Sequence, residues 1–229
     1  DYSRFMNATA SMALKLIPKS LETQPVFLCI DDTIVPKYGK KFEDVSKLFD
    51  HSAHNGSGYL NGHCFVSVML CVPLWDKDRI VYQALPLSYR MWQKKESKLE
   101  LAASMVRQVM PELQGKTNVI ILCDSWYTKG DLVSVVDEYP NLGLIGNARY
   151  DSVLYDPAPQ PTGKRGRPAK HGKRLSADRD FTLSDEKIGG YYIGTRRVLT
   201  NIFGTREVLA YVTATEKEGG SRRLFFSTV

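Results

Sequence analysis

The chain has 229 residues, 43% of them hydrophobic, and a formal net charge of +6 at pH 7. That is apolar material enough for one elaborated domain or two small ones. No apolar run approaches the ~20 residues that span a bilayer, and no charged start with an apolar middle marks a signal peptide.

Residues 3–20 ("SRFMNATASMALKLIPKS") predict an amphipathic helix, with Pro25 closing the connection. "VFLCI" (26–30) is a continuous apolar run of strand length, as in a strand buried on both faces. Residues 33–62, rich in Lys, Gly, Asn, Ser and His, read as a long loop. "HCFVSVMLCV" (63–72) and "IVYQALPL" (80–87) read as an antiparallel pair joined through the turn "PLWDKDR". Residues 96–113 switch to helical period: Leu99, Ala102, Ala103, Val106, Met110 and Leu113 fall on one face, with Pro111 near the end. "NVIILCD" (118–124) predicts a strand, "KGDLVSVVDEY" (129–139) a helix stopped by Pro140, and "LGLIGNA" (142–148) another strand. This order implies an α/β core with a mixed sheet.

Residues 151–175, rich in Pro, Gly and basic side chains, read as an exposed loop. Residues 180–229 carry β-type runs, with "EKEGGS" as a hairpin turn between the last two. The organisation predicted is an N-terminal helical segment (1–25), a core (26–150), a basic loop (151–176) and a β-rich insertion (177–229). The chain begins on Asp1 and ends on "RRLFFSTV", which reads as a strand cut off in progress and suggests a fragment.

Cys29, Cys64, Cys71 and Cys123 form no CxxC pair and sit in or beside apolar runs, as reduced core cysteines of an intracellular protein do. The net charge is local. Residues 163–174, "GKRGRPAKHGKR", hold Lys164, Arg165, Arg167, Lys170, Lys173 and Arg174 and no acid. Subtracting those six charges from +6 leaves the rest of the chain neutral. A concentrated basic segment points to a polyanion, and nucleic acid is the usual one.

Two β-type runs end on acids: "VFLCIDDT" on Asp31 and Asp32, and "VIILCDSW" on Asp124. In open α/β sheets functional groups gather beyond the carboxyl ends of the strands. On neighbouring strands, Asp32 and Asp124 would share a divalent cation, and hard oxygen ligands suit Mg²⁺ or Mn²⁺. An Asp after a strand is also an ordinary helix N-cap or Asx-turn residue, so the pattern alone leaves both readings open.

"CIDDT", "KYGKKF", "GHCFVSVMLCV", "ILCDSWY" and "GRPAKHG", in this order and spacing, resemble the catalytic domain of DDE-type insertion-sequence transposases. The likeness runs from about Val26 to the end. The resemblance implies a ribonuclease-H-like mixed sheet flanked by helices, with a β-rich insertion. It implies an Asp, Asp, Glu triad holding two Mg²⁺ (or Mn²⁺), and nicking at transposon ends followed by strand transfer. The expected partner is double-stranded DNA, transposon end and target, bound by a homodimer. The expected setting is the cytoplasm of a prokaryote, at the nucleoid. The first family acid falls on Asp32, directly before a Thr, and the second on Asp124. Asp31 becomes a neighbour acting behind the metal, with a swap of roles still open. The third acid, a Glu on a helix within a Tyr/Arg/Glu/Lys signature, has no match: Glu207, Glu216 and Glu218 lie in strand or hairpin contexts. The expectation is truncation inside the insertion, an incomplete triad, and a fragment inactive alone. A non-catalytic domesticated derivative and another ribonuclease-H-like nuclease are the alternatives.

"RGRP" (165–168) resembles an AT-hook core, in which Arg side chains lie along a narrow minor groove. A basic loop touching phosphates is the plainer reading. Its Pro/Gly content suggests ordering on binding. Trp126 either stacks on an exposed base or packs under the following helix, and packing is the commoner case. Lys37, Lys40 and Lys41 follow Asp32 and are placed to hold a phosphate. His51, His54, His63 and Cys64 match none of the usual zinc spacings.

Overall fold

The apolar run at Val26 becomes a strand, but one that does not stop at the acids. The computed structural model describes residues 2–39, 41–49, 58–160 and 168–229. In it, β1 spans Val26–Pro36. The acids continue the strand because the next chain segment supplies a partner for them. β1 pairs antiparallel with the 18-residue β3 (Tyr59–Asp76), from Phe27 opposite Cys71 through Asp32 opposite Val66 to Pro36 opposite Gly62. Thr33, Ile34 and Val35 are β-branched and suit a pleated surface.

The loop expected over 33–62 is therefore shorter than predicted. It contains β2 (Ser46–Phe49), which pairs with the start of β3; His51 and His54 lie outside the described residues. β4 (Arg79–Met91) folds back on β3, with Trp75 opposite Ile80 and Asp76 opposite Arg79. Only Lys77 and Asp78 make the turn, and Lys77 takes φ 55. "PLWD" thus belongs to the strand, where continued ladder pairing outweighs its turn-like composition.

The chain divides into two compact units, Asp1–Leu122 with Ser134–Leu142, and Cys123–Val133 with Gly143–Val229. In the first, α1 (Tyr2–Leu14) and α2 (Lys98–Leu113) pack on each other, where Ser11 Oγ donates to Glu112 Oε2 at 2.7 Å. α2 starts on a capping box. Ser97 Oγ accepts from the Glu100 N–H at 3.0 Å, and Glu100 Oε2 accepts from the Ser97 N–H at 2.7 Å. Each satisfies an otherwise orphaned amide. α2 buries Leu101, Ala102, Ala103, Met105, Val106, Val109, Met110 and Leu113. β5 (Val119–Cys123) follows.

The Val26 N–H, at the start of β1, donates to Asn118 O just before β5 at 2.9 Å. The Val119 N–H likewise donates to Asn141 O just before β6 (Leu142–Ala148) at 2.8 Å. Start bonded to start means parallel strands. The helix expected over 129–139 is shorter. α3 covers Gly130–Ser134 and tightens into a 3₁₀ turn at Val135–Glu138, where two β-branched valines precede Pro140.

In the second unit, β7 (Leu154–Tyr155) pairs with β8 (Arg174–Leu175), so the ends of the basic loop are tied in strand pairing rather than irregular. Tyr155 also exchanges backbone hydrogen bonds with Leu199 and stacks on His171 at 3.8 Å. β9 (Tyr192–Val198), β10 (Val208–Ala214) and β11 (Arg222–Ser227) run antiparallel, and β11 pairs with β6 from Leu224 opposite Ala148 to Ser227 opposite Ile145. Their inward positions alternate as Val208, Ala210, Val212 and Ala214. Among the described residues the strands form a nine-stranded sheet in the order β2-β3-β1-β5-β6-β11-β10-β9, with β4 on β3. Within it, β4-β3-β1-β5-β6, antiparallel and then parallel, is the ribonuclease-H-like arrangement that the resemblance implies.

Candidate metal-binding acids

Asp32 lies inside β1, two residues beyond Ile30 on the face that buries Val26, Leu28 and Ile30. Strand alternation sends Asp31 to the other face, where it is exposed and its Oδ1 accepts from the Asp32 N–H at 2.8 Å. The two acids therefore meet different surroundings. The carboxylate of Asp32 meets the first residue of α2: Lys98 Nζ donates to Asp32 Oδ2 at 2.7 Å, with side chains only 16% and 18% exposed. Cys64 Sγ donates to the same oxygen at 3.3 Å. Burial and the negative charge of Asp32 push the Cys64 thiol up to about 11. Burial works against the Lys98 ammonium, yet the bond to Asp32 and its charge outweigh this and raise its pKa.

Asp124, exposed, follows β5 and belongs to the second unit. Its Oδ1 accepts from the Trp126 and Tyr127 N–H groups at 3.0 and 3.1 Å. Its carbonyl accepts from Thr128 Oγ1 at 2.8 Å. This is an Asx-turn, which fixes the carboxylate's orientation. The same hydroxyl donates to Asn147 O on β6 at 2.7 Å, and Gly146 lacks the Cβ that would overlap Thr128. Asp32 belongs to the first unit and Asp124 to the second.

Trp126 keeps part of its ring at the surface. It is 36% exposed, edge-on to Tyr127, with Lys129 Nζ 4.8 Å from its ring centroid. The buried aromatic is its neighbour, Tyr127, at 0% exposure. Lys37 lies over the Phe42 ring at 5.4 Å, and Lys41 is exposed. Lys40, Lys164, Arg165 and Arg167 lie outside the described residues. Lys170 is exposed, Lys173 pairs with Asp180 at 3.1 Å, and Arg174 lines a cleft of about 790 Å³ with Arg149, Tyr150, Asp178 and Arg179. His63 and Cys64 are successive strand residues on opposite faces, and His63 Nε2 bonds Glu43 O at 2.8 Å. Among the described residues no three His, Cys, Asp or Glu side chains gather as metal ligands. Glu207 precedes β10, and Glu216 and Glu218 sit in the β10–β11 turn.

A family model described as DDE superfamily endonuclease matches residues 7–196. The chain belongs to this family. No curated protein matches it. Among solved structures, the NurA nuclease from Sulfolobus solfataricus is similar at 8% identity and a TM-score of 0.37, over 97% of this chain and 76% of that one.

DDE superfamily endonucleases generally use divalent metals. The donor chemistry at Asp32 fits such an ion: a hard carboxylate on the helix-covered face already holds a cation, the Lys98 ammonium, at 2.7 Å. The residue that sequence reading missed is Lys98. "SKLE" announces a capping box, but nothing in those four residues says that the strand facing Lys98 carries Asp32, 66 positions earlier.

Proposed function

We propose that this DDE superfamily endonuclease is the catalytic core of a DNA transposase, which hydrolyses a phosphodiester at element ends and transfers the strand to target DNA. The observation that carries the reading is the family match, which spans both Asp32 and Asp124. In this proposal Asp32 and Asp124 are the metal-holding acids, and Mg²⁺ or Mn²⁺ is the ion. When bound, two such ions activate the attacking oxygen and stabilise the leaving one. The chain's own residues do the positioning. Backbone amides 126 and 127 fix Asp124, and β1 pairing fixes Asp32. Residues 26–150 form the core and 177–229 the insertion. The basic segment 164–174, with Lys37, Lys40 and Trp126, lies along double-stranded DNA, and the working assembly is a homodimer on that DNA.

The test is metal-dependent cleavage of DNA by the protein carrying these residues. Asp32→Asn and Asp124→Asn are each expected to slow cleavage about a hundredfold or more, ~2.7 kcal/mol of barrier. Undiminished cleavage in both variants would overturn the assignment. DNA binding without metal-dependent cleavage by a protein that also supplies the third acid would favour the non-catalytic, domesticated alternative.

A further inference from the structure

We propose that Lys98 is an internal counter-ion that occupies the cation position of Asp32 until a divalent ion takes it, and so sets how much metal the protein needs. The inference rests on the reading of Asp32 as a metal ligand. Three observations carry it. The ammonium donates to Asp32 Oδ2 at 2.7 Å, so a positive charge already stands against the oxygen that would hold the ion. The pair is four-fifths shielded from water, so the two charges are weakly screened and each is costly to leave alone. And Lys98 opens α2 directly behind the Ser97 capping box, which anchors its backbone beside β1.

A divalent ion and an ammonium compete for one carboxylate oxygen. An ion that bound Oδ2 in place of the ammonium would move Nζ away from it. While it bonds Asp32, Nζ also lies 5.3 Å from the centroid of the Trp92 ring, whose face favours cations and would keep a partner for it off Oδ2. Trp92 is itself fixed, its N–H to Cys64 O at 2.7 Å and its indole Nε1 to Glu96 O at 2.6 Å. Cys64 Sγ donates to the same Asp32 oxygen at 3.3 Å.

The experiment titrates Mn²⁺ alone into the wild-type chain and into Lys98→Gln, Lys98→Arg and Asp32→Asn, with binding read by calorimetry. Lys98→Gln is expected to bind Mn²⁺ on the order of tenfold more tightly, the scale of a modestly screened ion pair. Lys98→Arg, which keeps the charge, is expected to stay near wild type. Asp32→Asn is expected to lose this binding. If Asp32→Asn binds as wild type does, the assignment of Asp32 as a ligand fails. If Asp32→Asn loses binding but Lys98→Gln is no tighter than wild type, or Lys98→Arg is as tight as Lys98→Gln, the metal reading stands and the role of Lys98 is overturned. A measurement on the unaltered chain guards against misfolded variants. The ¹H–¹³C signal of the Lys98 ε-methylene is expected to shift on Mg²⁺ addition, and an unmoved signal contradicts the exchange.

Discussion

The turn cap at Asp124 leaves room for the metal role proposed for the same side chain. Oδ1 accepts from two backbone amides, while a carboxylate offers about four lone-pair sites, so capping the turn and holding a metal are compatible. The roles separate by substitution. Asn caps as well as Asp, whereas Ala does not. Asp124→Asn is expected to unfold in urea as wild type does but to lose metal-dependent cleavage. Asp124→Ala is expected to lose cleavage and also ~1 kcal/mol of stability. Equal cleavage by wild type and Asp124→Asn would leave only the cap. At Asp32 the sequence identifies the acid but not its partner, because an ion pair across 66 positions depends on where α2 docks.

Elements follow local signals where local signals suffice. The periodic run over 96–113 gives α2, Lys98–Leu113, to within two residues, and the β-type runs of 180–229 become β9, β10 and β11. β1 runs past its acids, β3 takes in "PLWD", and the basic loop is pinned at β7 and β8. In each case a partner strand distant in sequence supplies the pairing that local composition argues against. Tyr150, after β6, ties that strand to the segment after β8: its hydroxyl donates to Asp178 Oδ1 at 2.6 Å. Burial, then Asp178, pushes its phenol up to about 12 from 10.0. The folded chain thus keeps a proton that the unfolded chain releases above pH 10. The stabilisation it gives is complete below pH 10 and is lost as pH rises towards 12. Titration of phenolate absorbance is expected to show a late-ionising tyrosine that is absent in Tyr150→Phe and ionises earlier in Asp178→Asn. A Tyr150→Phe curve matching wild type would contradict the assignment.

For the whole molecule, charge is the property the sequence states most openly. Six of the formal positive charges lie within residues 163–174, and a polyanion is the partner such a segment suits. If the segment grips phosphates, Arg165→Ala with Arg167→Ala should weaken binding to duplex DNA and lower the slope of log K against log salt by about 2. An unchanged affinity and slope would remove the segment from the interface.

Metal-directed cleavage of the polypeptide is the most direct test of the proposal that Asp32 and Asp124 each hold a metal ion. Fe²⁺ would take the place of the proposed Mg²⁺ or Mn²⁺, and ascorbate with peroxide generates radicals that cut the backbone beside a bound iron. The account predicts cuts near residue 32 and near residue 124, both suppressed by excess Mg²⁺. Cuts at only one of these positions, or at neither, would contradict it.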